Sequence, residues 1–75
     1  MSLFEVKLNT ICVVKEINID DEKAKLRLME LGVNLGTKIV VKSRSVFKKT
    51  LLIIFNNSCF TLNENFAKQV VVNYV

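Results

Sequence analysis

The spacing of apolar residues changes after Gly36 from the period of a helix to that of a strand, and this change limits the folds open to the chain. Before it, residues Asp21–Leu31 have the apolar period of a helix, which Gly32 would end in a left-handed conformation. After it, apolar and polar residues alternate, as they do in half-buried strands. One face of the helix is predicted to cover the core, and its residues are Ala24, Leu28 and Leu31.

Short strands are predicted on both sides of the helix. β-Branched residues mark the first, Thr10–Ile17, and alternation marks the next, Thr37–Ser43. Two adjacent Asn join a predicted hairpin, because Asn tolerates the positive φ angles of a type I′ turn. The remaining predicted elements are a loop or bulged strand end at Ser43–Lys49, the hairpin strands Leu51–Phe55 and Ser58–Leu62, a helical turn at Glu64–Gln69 and a closing strand at Val70–Val75. No element is assigned to the first three residues. About five short strands with one inserted helix predict a mainly β fold, a small barrel.

Length and composition exclude several classes of protein. A chain of 75 residues is expected to form a single domain, and its apolar content of 51% predicts a packed core. It contains no His, the commonest general base and a common metal ligand, so we expect no enzyme, no catalytic residue and no metal site. The longest apolar run, Leu51–Phe55, is far shorter than the roughly 20 residues of a membrane-spanning helix, and no signal peptide is evident. We expect a small, soluble, cytoplasmic domain.

Two groups of residues resemble parts of metal sites. Cys12 and Cys59 both lie in predicted strands, where a thiol usually packs as a small hydrophobe. A soft-metal site with two thiolates is the alternative, although no further ligands are evident. The acidic residues Asp20–Glu22 resemble part of a hard-cation site, but their position predicts the charged opening of the helix.

Basic residues are concentrated between positions 37 and 50, where no acidic residue occurs. They are Lys38, Lys42, Arg44, Lys48 and Lys49. An ordinary solvated face, a surface for an acidic protein and a nucleic-acid site all fit this pattern. Phe47 is the only aromatic residue among them, whereas nucleic-acid barrels normally add several aromatics for base stacking, so nucleic acid is the less favoured partner.

The strand Leu51–Phe55 is apolar on both faces. Leu51, Ile53 and Phe55 form one set, and Leu52 and Ile54 form the other. A barrel strand normally has one wet face, so the second set is expected to be covered by the Glu64–Gln69 turn, a second copy of the chain or another protein. We predict a partner-binding surface made of Leu52 and Ile54, flanked by Lys42, Arg44, Lys48 and Lys49.

The stretch from Arg27 to Val41 resembles the signature of the FeoA family, ferrous iron transport protein A. The matching positions are Arg27-Leu28, Leu31-Gly32-Val33 and Gly36-Thr37, followed by alternating apolar residues. Leu62, Glu64, Ala67, Val70 and Val72 resemble the end of the family pattern. Three features depart from it: Leu35 stands where the family has Pro, residues 45–50 replace a loop with Pro and Gly, and Asn57 replaces a turn Gly.

The resemblance implies an SH3-like barrel and a cytoplasmic accessory protein of a bacterial ferrous iron uptake system. It also implies a partner, the cytoplasmic GTPase region of a FeoB-type transporter, and a loose association with transition metal ions. The motif residues themselves have mainly architectural roles. Leu28 and Leu31 would close one end of the barrel, Gly32 would end the helix, Gly36 would turn the chain, and Arg27 would pin the helix through its stem or by bonding carbonyls.

Three other interpretations remain open. The SH3-like domains of iron-dependent repressors suggest a metal-responsive module, although this chain offers no evident ligand set and no cofactor is expected. A small nucleic-acid-binding barrel would use the basic strand, and its affinity would fall steeply with salt. A homo-oligomer would cover the second face of Leu51–Phe55 with a copy of itself.

Overall fold

The computed structural model describes residues 1–75 and contains five strands, two helices and a 3₁₀ turn. The strands are β1 (Ile11–Ile17), β2 (Lys38–Ser45), β3 (Thr50–Phe55), β4 (Ser58–Asn63) and β5 (Val70–Tyr74). Helix α1 (Glu22–Leu31) follows β1, and the short helix α2 (Glu64–Ala67) precedes β5. All neighbouring strands are antiparallel, in the order β4-β3-β2-β1-β5. The predicted mainly β fold, with one inserted helix and a helical turn before the last strand, is confirmed.

The inner face of the sheet carries a single core. All 17 buried residues are apolar, and they form one cluster. Buried residues alternate along β3, where Leu51, Ile53 and Phe55 point inward as predicted. No helix of the fold is long and apolar enough to cross a membrane.

Helix α1 begins and ends through local chemistry. The Asp21 carboxylate accepts hydrogen bonds from the backbone N–H groups of Lys23 and Ala24 at 3.0 and 3.2 Å, which satisfies two donors that have no partner inside the helix. Gly32 ends the helix with φ of 111°, and the N–H of Val33 then donates to the Leu28 carbonyl at 2.9 Å. The predicted helix opening at the acidic residues is confirmed for Asp21.

The hairpin between β3 and β4 turns at Asn56 and Asn57, as predicted. Their φ angles are 50° and 62°, the positive values that a type I′ turn requires. The turn fixes the register of the two strands, so that Ile54 lies opposite Cys59.

The prediction that Leu31 packs on the core is wrong. Leu28 is only 4% exposed, whereas Leu31 is 49% exposed. Leu31 is the last residue of α1, and the left-handed turn at Gly32 brings Val33 into the core just after it. The helical period therefore identified the correct face, but the core ends before the helix does.

The first residues of the chain belong to the fold, although no element was predicted for them. Leu3–Glu5 form the 3₁₀ turn, and both Leu3 and Val6 are buried in the core. Ser2 pairs with Val71, and the N–H of Val72 donates to the Met1 carbonyl at 2.8 Å. The N-terminal segment thus covers the otherwise free edge of β5.

Candidate docking surface

The outer face of β3 carries the second apolar set that the sequence predicted. Leu52 and Ile54 are half-buried, and neither belongs to the core cluster. Helix α2 does not cover them, because its Ala67 is in the core and its Phe66 packs against the core cluster on the inner side. Of the three predicted covers, the helical turn is therefore excluded, and a second copy or another protein remain.

Strand register extends this set into a row across four strands. Ile54 lies opposite Val40 on β2 and Cys59 on β4, and Val40 in turn lies opposite Ile11 on β1. We call these four residues the outer row. Ile11 and Cys59, at its two ends, are exposed, and Val40 and Ile54 are half-buried. Leu52 lies beside the row, between Ser43 and Thr61.

Sequence reasoning missed Ile11 and Val40. A signal existed for Val40, because it is an apolar residue between Lys38 and Lys42 on the side of the strand that is otherwise polar. No sequence signal places Ile11 next to Val40, since this contact depends on the register of β1 against β2.

A β-bulge in β2 moves Arg44 away from this surface. The pairing with β3 shifts between Val41 and Ser43, so that Lys42 is an extra residue and Arg44 lies opposite the inward-facing Leu51. The Arg44 Nε donates to the Phe4 carbonyl at 3.0 Å. A second guanidinium N–H donates to the Val6 carbonyl. The structure thus separates Arg44 from Leu52 and Ile54, and gives it a role in the fold.

Lys48 and Lys49 are also separated from the outer row. They lie with Val46 and Phe47 in the turn between β2 and β3, which we call the tip (Val46–Lys49). Lys49 and Ile54 are five residues apart along an extended strand, a distance of roughly 16 Å. Of the four basic residues predicted to flank Leu52 and Ile54, only Lys42 lies near the apolar face. Lys38, which was not among those four, also lies near it, two residues from Val40. The predicted surface is therefore two surfaces.

Of the family-like motif residues, Leu28 is buried, and Gly32 and Gly36 have positive φ angles where the chain turns. Gly36 turns the chain with φ of 90°, and its N–H donates to the Val14 carbonyl at 2.8 Å. Arg27 is exposed and donates no hydrogen bond to a carbonyl, contrary to one of its two predicted roles. It lines a cavity of about 390 Å³ between α1 and β4, together with Leu31, Phe60 and Phe66.

The two cysteines lie on opposite faces of the sheet. Cys12 lies on the inner face of β1 and Cys59 on the outer face of β4, so the alternative with two thiolates is excluded. Cys12 donates to the Ile39 carbonyl, with a distance of 3.3 Å from Sγ to oxygen, and burial raises the pKa of its thiol. No three Cys, Asp or Glu side chains lie close enough together to hold a metal ion. Cys59 is exposed, so the predicted packing as a small hydrophobe holds for Cys12 alone.

Comparisons with known proteins agree on one family. The sequence profile described as FeoA domain matches residues 1–74. FeoA of Stenotrophomonas maltophilia, an SH3 domain protein solved in complex with zinc, is 30% identical, with a TM-score of 0.82 over 97% of this chain and 89% of that one. FeoA of Chlorobium tepidum is 24% identical, with a TM-score of 0.92 over 100% of this chain and 70% of that one.

The same fold occurs in a different functional class. A manganese-dependent transcriptional repressor contains a region that matches all of this chain with a TM-score of 0.89, at 16% identity and over 41% of its own length. At this identity the likeness concerns the fold alone. Among curated proteins, none matches the sequence significantly.

Proposed function

The chain belongs to the FeoA family, the accessory proteins of ferrous iron transport, and from this premise we propose that it docks onto the cytoplasmic GTPase region of a FeoB-type transporter. It acts in the cytoplasm, by binding a protein surface and not by catalysis. The observation that carries the proposal is the outer row, an apolar stripe outside the core cluster whose residues are exposed or half-buried.

The outer row and the neighbouring Leu52 have the composition of a binding surface. Ile54 and Leu52 are half-buried on well-formed strands, so their side chains are already ordered and lose little entropy when a partner covers them. Apolar anchors of this kind supply most of the affinity of an interface. Burying apolar area contributes about 25 cal/mol per Å² before the costs of association.

Lys38 and Lys42 border the apolar stripe and give it a charge preference. Both side chains are exposed, and the chain as a whole has a net charge of +4. Basic residues at the rim of an interface raise the association rate with an acidic surface more than they raise the affinity. The matching surface on the GTPase region is therefore expected to combine an apolar centre with acidic residues at its edge.

The test is a titration of the isolated GTPase region with the double variant Leu52→Thr, Ile54→Thr. Thr keeps the β-branched shape that suits a strand, so the sheet is expected to persist. Loss of two central apolar anchors is expected to weaken binding at least tenfold, because each costs more than about 1 kcal/mol. The matched control is Leu26→Thr, which removes an exposed Leu from α1 and leaves binding unchanged. A folded double variant that binds as tightly as the unaltered chain would show that this surface is the wrong one.

The nucleic-acid alternative loses one of its basic side chains, since the Arg44 guanidinium donates its hydrogen bonds to the carbonyls of Phe4 and Val6. A metal-responsive module has the repressor fold in its favour, but it lacks a ligand set in this chain.

A homo-oligomer through the outer row competes directly with docking. Light scattering across a range of concentrations separates the two, because only self-association depends on the concentration of this chain alone.

A further inference from the structure

The tip carries two apolar side chains that the fold does not use. Val46 is 84% exposed and Phe47 is 99% exposed, and they are adjacent in a turn that projects between β2 and β3. Turn positions of this kind usually hold polar residues, which suffer no penalty in water. Large exposed apolar residues that are contiguous indicate a contact outside the folded chain.

Other residues form the turn itself. The N–H of Lys48 donates to the Ser45 hydroxyl at 3.2 Å, and Lys49 adopts a positive φ of 52°. The Lys49 carbonyl accepts from the N–H of Glu64 at 2.9 Å, which anchors the base of the tip to α2. Val46 and Phe47 are therefore not needed for the turn, and their apolar character calls for another explanation.

We propose that the tip inserts Val46 and Phe47 into the interface of an anionic lipid bilayer, with Lys48 and Lys49 at the level of the phosphates. This contact is separate from the proposed docking of the outer row and does not depend on it. It orients the protein at the membrane surface and does not span the membrane.

The charge around the tip favours an anionic surface. Lys48 and Lys49 are exposed next to Phe47, and residues 37–50 contain no acid. Glu64 lines a cavity together with Val46 and Lys49, but its carboxylate is paired with Lys68, at 3.1 Å from the Nζ. Each lysine near an anionic membrane surface strengthens binding by about fivefold.

The side chains of the tip favour a lipid interface over a protein or a nucleic acid. A lipid interface admits apolar side chains such as Val46 and Phe47 below the level of the charged lysines, without the fixed pocket that a protein partner would have to provide. Base stacking would use Phe47 but gain nothing from Val46. Because the tip lies roughly 16 Å along β3 from Ile54, a partner on the outer row leaves it accessible.

Binding to vesicles tests the proposal with the chain alone. We expect the full chain to sediment with vesicles of phosphatidylglycerol and phosphatidylethanolamine at millimolar lipid, and not with vesicles of phosphatidylcholine. The tip contributes less than a myristoyl chain, whose association constant is about 10⁴ M⁻¹, so lower lipid concentrations would not suffice. Phe47→Ser and the double variant Lys48→Gln, Lys49→Gln are each expected to lower binding at least fivefold, and the matched control Leu26→Ser leaves it unchanged.

A fluorescent variant reports insertion directly. The chain has no Trp, so Phe47→Trp supplies a single reporter at the tip, and Leu26→Trp supplies the same reporter on α1. Anionic vesicles are expected to shift the emission of the first variant to the blue and to protect it from acrylamide, with no change for the second. The proposal is overturned if the unaltered chain fails to sediment, if Phe47→Ser sediments equally well, or if Phe47→Trp sediments without a spectral shift. It is also overturned if tip variants weaken only the binding of the GTPase region or of an oligonucleotide, with vesicle binding unchanged.

Discussion

Arg44 holds Phe4 in two ways: its Nε donates to the Phe4 carbonyl at 3.0 Å, and its guanidinium carbon lies 5.8 Å from the centre of the Phe4 ring. Together with the bond to the Val6 carbonyl, these contacts attach the N-terminal segment to β2. Because Leu3 and Val6 fill part of the core, this attachment stabilises the whole fold and not the terminus alone.

Replacing Arg44 is expected to destabilise the chain. Arg44→Met keeps an apolar stem but removes both hydrogen bonds to carbonyls, and a hydrogen bond from a charged donor is worth about 1.5–3 kcal/mol. We expect the free energy of unfolding in urea to fall by about 2 kcal/mol or more. Lys42→Met, in the same strand but exposed, is the control and should change it by less than about 0.5 kcal/mol. Equal effects of the two variants would contradict the role assigned to Arg44.

The two leucines of the family motif are expected to differ in their effect on stability. Leu28→Ala removes a buried side chain and should cost about 2–5 kcal/mol. Leu31→Ala alters a side chain that is half exposed and should cost less than about 1 kcal/mol. Denaturation in urea measures both changes. A large loss for Leu31→Ala would mean that this side chain packs more closely than the structure shows.

The acidic residues before α1 are expected to be unequal as well. Asp21→Ala removes the cap from two backbone N–H groups and should lower the free energy of unfolding by about 1 kcal/mol. Asp20→Ala should have little effect, because the Asp20 carboxylate accepts no hydrogen bond. The hydrogen bond of this residue comes from its backbone N–H, which donates to the Gln69 side chain and is kept in the variant. The comparison fails if both variants lose the same stability, since the loss would then come from charge and not from capping.

Stability is expected to fall at alkaline pH because of Cys12. Burial raises the pKa of this thiol in the folded chain, so the folded state keeps the proton at pH values where the unfolded state releases it. The contribution of this thiol to the free energy of unfolding is therefore fully present below the unfolded thiol pKa of about 8.5. It is lost as the pH rises through the pKa of the thiol in the folded chain. Urea denaturation between about pH 8 and pH 10 measures the slope.

Two variants test whether Cys12 causes this decrease in stability. Cys12→Ala should flatten it, whereas Cys59→Ala, at the exposed cysteine, should leave it as in the unaltered chain. Parallel curves for Cys12→Ala and the unaltered chain would attribute the alkaline loss to other groups.

Local chemistry made much of the fold predictable. Asp21 and Gly32 mark the ends of α1, and the pair of Asn residues marks the hairpin, because each acts on backbone groups within a few residues of itself. The outward direction of Leu52 and Ile54 follows from the period of a strand. These predictions needed no information about distant parts of the chain.

The features that the sequence did not predict depend on pairing between distant segments. The sequence predicts a loop or bulged strand end at Ser43–Lys49, but the bulge lies at Lys42, because its position is set by the register of β2 against β3. It reverses the face of every residue that follows, including Arg44. The N-terminal segment has no period of its own, because it is positioned by β5 and by Arg44. The sequence accordingly placed Leu52 and Ile54 on the outer face of β3 but missed their apolar neighbours on β1 and β2.

The pairing of the N-terminal segment with β5 has a consequence for synthesis of the protein. The Met1 carbonyl accepts a hydrogen bond from Val72, and synthesis adds Val72 to the chain 71 residues after Met1. Until then Leu3 and Val6 remain exposed on the nascent chain, and the core they complete cannot close. This domain therefore completes its fold only after Val72 has cleared the exit tunnel, and non-native contacts of its apolar N-terminal residues compete with folding until then.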